Sequence, residues 1–173
     1  MPGRSFTVNP LGQWPLAAIR RNHALEHAVI HVLSATDPGL SLAGRSDWAG
    51  FTLYGPVETE RVAEAVDLAL RRLQAGEREL AIHPRCGTNL ATGMMLAGMA
   101  SQAALSGHKR SRWSKALTLM LGLWAALVLT KPVGNRLQAN VTTSMDVGKL
   151  RILFIQLQAH GRWMAHRVQT TQA

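Results

Sequence analysis

Three residues have the types and spacing for metal chemistry: His23, Glu26 and His27, in the run His23-Ala24-Leu25-Glu26-His27. On an α-helix, side chains at i and i+4 share a face, so the two imidazoles can grip one cation. Glu26 lies beside them, near enough to hold or deprotonate a water activated by that cation, and the pattern is the H-x-x-E-H of inverted zincins. A metallopeptidase of this kind takes a third protein ligand from elsewhere in the chain and leaves a fourth position to water. His31 extends the line by one turn. The plain alternative is a set of ordinary helix histidines. Against it, two His and a Glu inside an otherwise apolar helix are ionisable groups that need partners when buried, and a metal supplies one.

A second cluster lies downstream, in His83-Pro84-Arg85-Cys86-Gly87-Thr88-Asn89. Thiolate and imidazole are ligands that zinc prefers, and an H-x-x-C spacing in a tight turn offers both. Pro84 and Gly87 would fix the turn, and Thr88 or Asn89 would cap the helix that follows, whose free amides could meet an anion. Alone, this stretch also reads as a plain turn with Cys86 as a small buried hydrophobe.

Three uses of these residues stand open. If His23, His27, His83 and Cys86 all bind one Zn2+, the site is closed and pins the first helix to the turn. If one of the last two stays off the metal, Glu26 becomes a general base and hydrolysis is possible. A metal-free use would make Cys86 a nucleophile near an imidazole, which leaves Glu26 without a role. Arg85, His31, Thr88 and Asn89 are candidates to contact substrate or to orient the ligating imidazoles.

The two motifs, in this order and ahead of apolar helices, resemble those of uncharacterised bacterial membrane proteins described as predicted metal-dependent enzymes, which pair an H-x-A-E-H-K-like motif with H-P-R-C-G-T. The resemblance covers roughly residues 20–105. It departs at Leu25, at Ala28, where the larger relatives tend to carry Lys, and at Asn89, and it places this chain in a smaller sister group of unknown function. It implies a shared site and no established substrate.

The elements that must position these residues can be traced along the chain. Pro15 to Ala35 reads as a helix with Pro15 in its first turn and Asp37-Pro38-Gly39 as its stop. From His23 to Leu33 it is apolar on every face apart from His23, Glu26, His27 and His31, so it should be buried all round. Leu40 to Ala43 and Phe51 to Tyr54 read as strands around a Gly44 to Gly50 loop. Glu58 to Gln74 has apolar residues at helical spacing, with early acids and late bases that suit the helix dipole. Leu80-Ala81-Ile82 reads as a short strand entering the His83 turn. Lys149 to Gln158 and Arg162 to Thr170 alternate around Ala159-His160-Gly161 as a β-hairpin. His166 lies in this hairpin, placed for an approach to the site but more simply a surface residue of an amphipathic strand. The expectation is an α+β fold: a small α-β-β-α-β unit over residues 1–89, a two-helix membrane hairpin over 90–131, and a C-terminal β-hairpin over 132–173 that completes the soluble unit.

The membrane expectation rests on hydropathy and charge. Of 173 residues, 47% are hydrophobic and 17% charged, with a net charge of +9 and a single cysteine. One cysteine excludes an internal disulfide scaffold. Residues 1–89 balance nine Arg against nine acids, while residues 90–173 carry ten Lys/Arg against Asp146 alone. Basic charge beside long uncharged runs suits lipid headgroups, and no nucleic-acid-binding module is recognisable. Leu90 to Gly107 would reach roughly 27 Å as a helix, close to a bilayer core, and Ala116 to Thr130 about 22 Å, which spans only if extended by its flanks. A soluble buried hairpin is the alternative. Gly93, Ala97 and Ser101 form a small-residue stripe that would admit a partner helix or a second copy. The basic loop Lys109 to Lys115 favours the cytoplasm by the positive-inside rule, but the opposite flank is almost equally basic. With no cleavable signal peptide and nothing else arguing for export, the soluble part is expected in the cytoplasm. Together these readings predict an integral-membrane protein with a mononuclear zinc site near the interface, either a hydrolase of peptides or lipid-like molecules or a non-catalytic scaffold with a structural metal.

Overall fold

The computed structural model describes residues 10–106, 111–160 and 163–172. Its elements are α1 (Leu16–Thr36), β1 (Ala43–Asp47), β2 (Gly50–Tyr54), α2 (Thr59–Gln74), α3 (Gly87–Leu105), α4 (Arg112–Leu137), β3 (Leu150–His160) and β4 (Trp163–Gln172). Short 3-10 turns lie at Pro10–Gly12 and Arg78–Ala81, and a π-helical turn at Gln138–Thr142. The fold is mixed α+β, with four helices and one antiparallel sheet, as the residue patterns predict. The chain divides into two compact units, Met1–Ala81 with Thr143–Ala173, and Ile82–Thr142.

In the first unit the sheet order is β1-β2-β4-β3, antiparallel throughout. The C-terminal hairpin therefore joins the sheet through β4, which pairs with β2. Phe51 and Leu53 of β2 lie opposite Val168 and His166 of β4, and all four are fully buried. Against this face pack the apolar residues of α1 (Leu25, Ala28, Val29) and of α2 (Val62, Val66, Leu73). Each such buried Leu or Val side chain contributes about 1.5–3 kcal/mol, and α1 is covered on nearly all sides between Asn22 and Leu33. Asn22, fully buried, ties α1 to two strands: its Nδ2 donates to the Asp47 carbonyl at 2.8 Å and its Oδ1 accepts from Thr170 Oγ1 at 2.7 Å.

Three local expectations are corrected. Residues 44–47 belong to β1, which pairs with β2 from Ala43↔Tyr54 to Asp47↔Gly50. The connection is only Trp48-Ala49, held by Ala49 N–H donating to Asp47 Oδ1 at 2.8 Å. Gly50 follows at φ +148°, where a Cβ would lie 2.1 Å from the Val168 carbonyl oxygen. Polar Gly44-Arg45-Ser46-Asp47 looked like a loop because β1 is an edge strand and contributes no apolar face. The expected strand at Leu80-Ala81-Ile82 is instead a 3-10 turn over Arg78–Ala81, with Leu80 and Ala81 buried. Three apolar residues carry no period, and here Leu80 and Ala81 join the core cluster with α1 from a 3-10 turn. In β3 a register shift between Ile152 and Phe154 interrupts the alternation, so Ile152 and Ile155 both pack on the core while Leu153 and Phe154 are exposed.

The second unit is an antiparallel pair of helices clamped by small residues. A Cβ added at Gly93 would lie 3.0 Å from Thr130 Oγ1, one at Gly122 would lie 2.9 Å from Ala100 Cβ, and one at Gly134 would lie 2.0 Å from Asn89 Oδ1. Gly93 of the small-residue stripe thus faces α4 of its own chain. The helix α4 runs through Pro132 to Leu137, well past Thr130 where the uncharged run ends. Its 26 residues make it about 39 Å long. With the π turn it is the one described helix long and apolar enough to cross a membrane, and only 6% of its most apolar stretch is buried. Of the two apolar runs read from the sequence, α4 is the one that meets this length and hydropathy among the described residues, while α3 carries Thr88, Asn89, Thr92, Ser101 and Gln102, which dilute it. Large apolar side chains stand exposed on both helices, among them Met94, Met95, Met99, Leu121, Trp124 and Leu127.

Candidate metal centre

On α1 the geometry matches the spacing argument. The rings of His23 and His27 are 4.3 Å apart between centroids, in an edge-on arrangement at 61°. His27 is buried and His23 half-buried. The Nδ1 of His27 lies 2.7 Å from the carbonyl oxygen of Ala81. A carbonyl can only accept, so Nδ1 carries a proton, and the neutral form of the ring keeps its lone pair on Nε2. That is the arrangement by which a backbone carbonyl fixes the tautomer of a ligating imidazole.

Glu26, also buried, is held from the neighbouring strand. Ser46 Oγ donates to its Oε2 at 2.5 Å, and Gly44 provides the space: a Cβ there would lie 2.2 Å from Glu26 Oε1. Neither Gly44 nor Ser46 stands out in the sequence, because both lie in the stretch read as a loop. Their signal is the strand pairing, which puts the small residues of β1 over the helix. His31 is half-buried one turn beyond His27.

The second motif is positioned within the helical unit. Cys86, not Thr88 or Asn89, is the N-cap of α3: its Sγ accepts from Thr88 N–H at 3.4 Å, and its carbonyl accepts from Asn89 N–H at 3.0 Å. Sulfur at a helix N-terminus is where backbone amides favour a thiolate. The turn before it is closed by Cys86 N–H donating to the His83 carbonyl at 3.2 Å. His83 is half-buried, Cys86 buried and Arg85 exposed. Asn89 is buried and engaged inside the unit, with Nδ2 donating to the Pro84 carbonyl at 3.0 Å and to Asn135 Oδ1 at 3.2 Å. Thr88 Oγ1 donates to Thr142 Oγ1 at 3.3 Å.

His166 is not a surface residue. It shares the inward register of β4 with Val168 and Thr170, and its Nε2 lies 3.1 Å from Thr59 Oγ1 at the start of α2. Its Nδ1 is buried with no hydrogen-bond partner among the described residues. Burial holds its pKa below the ordinary imidazole value, with Glu58 and Glu60 pulling weakly the other way. On the outward side of the same strand, Arg167 makes a two-pronged pair with Asp47, Nη1 to Oδ2 at 2.7 Å and Nη2 to Oδ1 at 2.8 Å. Burial works to raise the Asp47 pKa, but the Arg167 and Ala49 hydrogen bonds outweigh it and hold the carboxyl below its usual value.

A family model described as a domain of unknown function (DUF6391) matches residues 18–155. An uncharacterised protein of Picosynechococcus sp. (strain ATCC 27264 / PCC 7002 / PR-6) is 35% identical over 146 residues, which cover 76% of this chain and 69% of the relative. No solved structure matches the chain.

Proposed function

Because the chain belongs to the DUF6391 family, whose description assigns no activity, we propose from the pairing of its two sequence motifs that it is an integral-membrane metalloprotein in which His23 and His27 of the first motif, with Cys86 of the second, hold one metal ion. The single observation that carries the reading is the His27 to Ala81 hydrogen bond, which fixes the orientation and tautomer of a ring whose centroid lies 4.3 Å from that of His23. Chain continuity adds support. The carbonyl that holds His27 belongs to Ala81, and Cys86 follows five residues later. That is a tether of at most about 18 Å. Two imidazoles and one thiolate favour zinc over the hard cations. His83, half-buried in the same turn, is the candidate fourth ligand.

Zinc so held supplies a Lewis acid that activates water near neutral pH. Of the chain's own groups, Glu26 is the one suited to take a proton beside it, since Ser46 and Gly44 fix its carboxylate. This is the hydrolase reading. The second reading, a scaffold with a structural metal, is favoured by the same Ser46 contact, because a buried carboxylate tied to β1 also serves to lock α1 on the sheet. The exposed apolar surface of α4 supports the membrane assignment, and the soluble unit is assigned to the cytoplasm.

Elemental analysis of detergent-purified protein tests the proposal. About one zinc per chain is expected, lost in both His23→Ala and Cys86→Ala. A metal-free wild type after reconstitution with zinc would overturn it. Glu26→Gln then separates the two readings: under the hydrolase reading it keeps metal and fold but loses activity, whereas under the scaffold reading no activity exists to lose.

A further inference from the structure

The turn that carries Cys86 is held by a chain of side-chain amides within the helical unit. Gln138, fully buried at the start of the π-helical turn, accepts through Oε1 from the backbone N–H of His83 at 2.8 Å. Its Nε2 donates to Asn89 Oδ1 at 2.9 Å, and Asn89 in turn reaches back to the Pro84 carbonyl at 3.0 Å. Backbone groups on both sides of the His83-Pro84 bond are thus gripped by two amides, one from α4's end and one from α3's first turn. A π turn widens the helix, and here it brings Thr142 to Thr88 as well. Gly134 completes the arrangement, because a Cβ in its place would lie 2.0 Å from Asn89 Oδ1.

Packing the two helices does not call for such a network. The contacts at Gly93 and Gly122 already clamp α3 to α4, and an apolar pair would fill the position of Gln138 and Asn89 without burying four polar groups. What the amides add is a fixed backbone between His83 and Cys86. We infer that Gln138 and Asn89 are positioning residues, which set the His83 to Cys86 turn so that the Cys86 sulfur is presented in one geometry. This deepens the metal reading and rests on it for its purpose, although the hydrogen-bond network itself is independent of any metal.

Cys86 is the sole cysteine of the chain, so alkylation reports on it alone. Iodoacetamide modification of metal-free, full-length protein in detergent is the first measurement, and cobalt(II) titration followed by the sulfur-to-cobalt charge-transfer absorption is the second. Gln138→Met, which keeps the length but no hydrogen bonds, is expected to change the alkylation rate about tenfold and to weaken cobalt binding about tenfold, the usual loss when a group orienting a ligand is removed. Gln138→Glu keeps an acceptor for His83 N–H and is expected to stay nearer wild type. If Gln138→Met fails to fold, Gly134→Ala displaces Asn89 without touching a hydrogen-bonding group and should give the same two changes. A folded variant with unaltered alkylation and unaltered charge-transfer absorption overturns the inference. A wild type with no charge-transfer band, but variants with altered alkylation, would leave the positioning role standing and remove the metal reading. A band present and unchanged in the variants would do the reverse.

Discussion

His27 donates its Nδ1 proton to the carbonyl of Ala81 at 2.7 Å, across 54 residues of sequence. The bond joins the middle of α1 to the last residue before the Ile82-His83 segment. It has two separable consequences, one for stability and one for ligation. Replacing His27 with Leu leaves the Ala81 carbonyl buried without that donor, at about 1–3 kcal/mol. His23, half-buried, carries less of the packing. His23→Ala is expected to melt near the wild-type temperature in chelator yet lose the rise that zinc gives the wild type, a rise worth about 2.7 kcal/mol at a hundredfold excess over Kd. Thermal melts with zinc and with chelator check both. Equal zinc-induced shifts in wild type and His23→Ala would remove His23 from the ligand set.

The contact between Gly44 and Glu26 makes a second expectation. A methyl at position 44 overlaps the Glu26 carboxylate, so Gly44→Ala should destabilise by about 1–3 kcal/mol, the usual range for overpacking. The cost should shrink sharply in the Glu26→Ala background, where the overlapping atoms are gone. Ser46→Ala should cost about 1–3 kcal/mol, because it takes that donor from a buried Glu26 oxygen. Urea unfolding of the four combinations at positions 44 and 26 supplies the coupling energy. An additive result would mean that Glu26 does not occupy the space over Gly44.

His166 makes stability depend on pH in a defined direction. Its folded pKa is lowered, so between that value and the unfolded pKa near 6.5 the unfolded chain binds the extra proton. Stability is therefore complete above about pH 6.5 and falls as pH drops below it, levelling off once pH passes the folded value. The groups facing the ring are Thr59 at its Nε2 and the nearby carboxylates Glu58 and Glu60, with Leu53 and Leu157 opposite it on the flanking strands. His166→Gln should flatten the profile between pH 7 and pH 5. A mutant profile parallel to wild type would assign the acid sensitivity to other residues.

The half-sites differ in how readable they are. His23, Glu26 and His27 are legible because helical periodicity alone puts them on one face, and the apolar residues around them declare the helix buried. Cys86 as a helix cap is less so, since Thr88 and Asn89 are better capping types and only the tertiary bonds of Asn89 explain why it is used elsewhere. Ser46 and Gly44 act through strand register, which no local pattern encodes. His166 was hidden for a related reason: its inward orientation follows from pairing with Leu53, and a histidine among Met, Ala, Arg and Val has no period that says which face is buried. The length of α4 was masked by Pro132, which usually ends a helix but here lies inside one.

The apolar surface of α4 allows a test whose sign separates two environments. Leu127 is 76% exposed, so in a water-soluble protein its replacement by Arg changes a surface residue and should alter stability by less than about 0.5 kcal/mol. In a bilayer the same charge near the middle of a spanning helix costs about 2.5–3.5 kcal/mol on insertion scales. Leu127→Arg is therefore expected to reduce the fraction of the chain that stays with membranes after alkaline carbonate extraction, while Leu127→Phe is not. The first unit provides the control, since the described residues of its core cluster are all its own, and its melting should be retained in both variants. Equal extraction of all three proteins would assign the exposed face of α4 to something other than lipid.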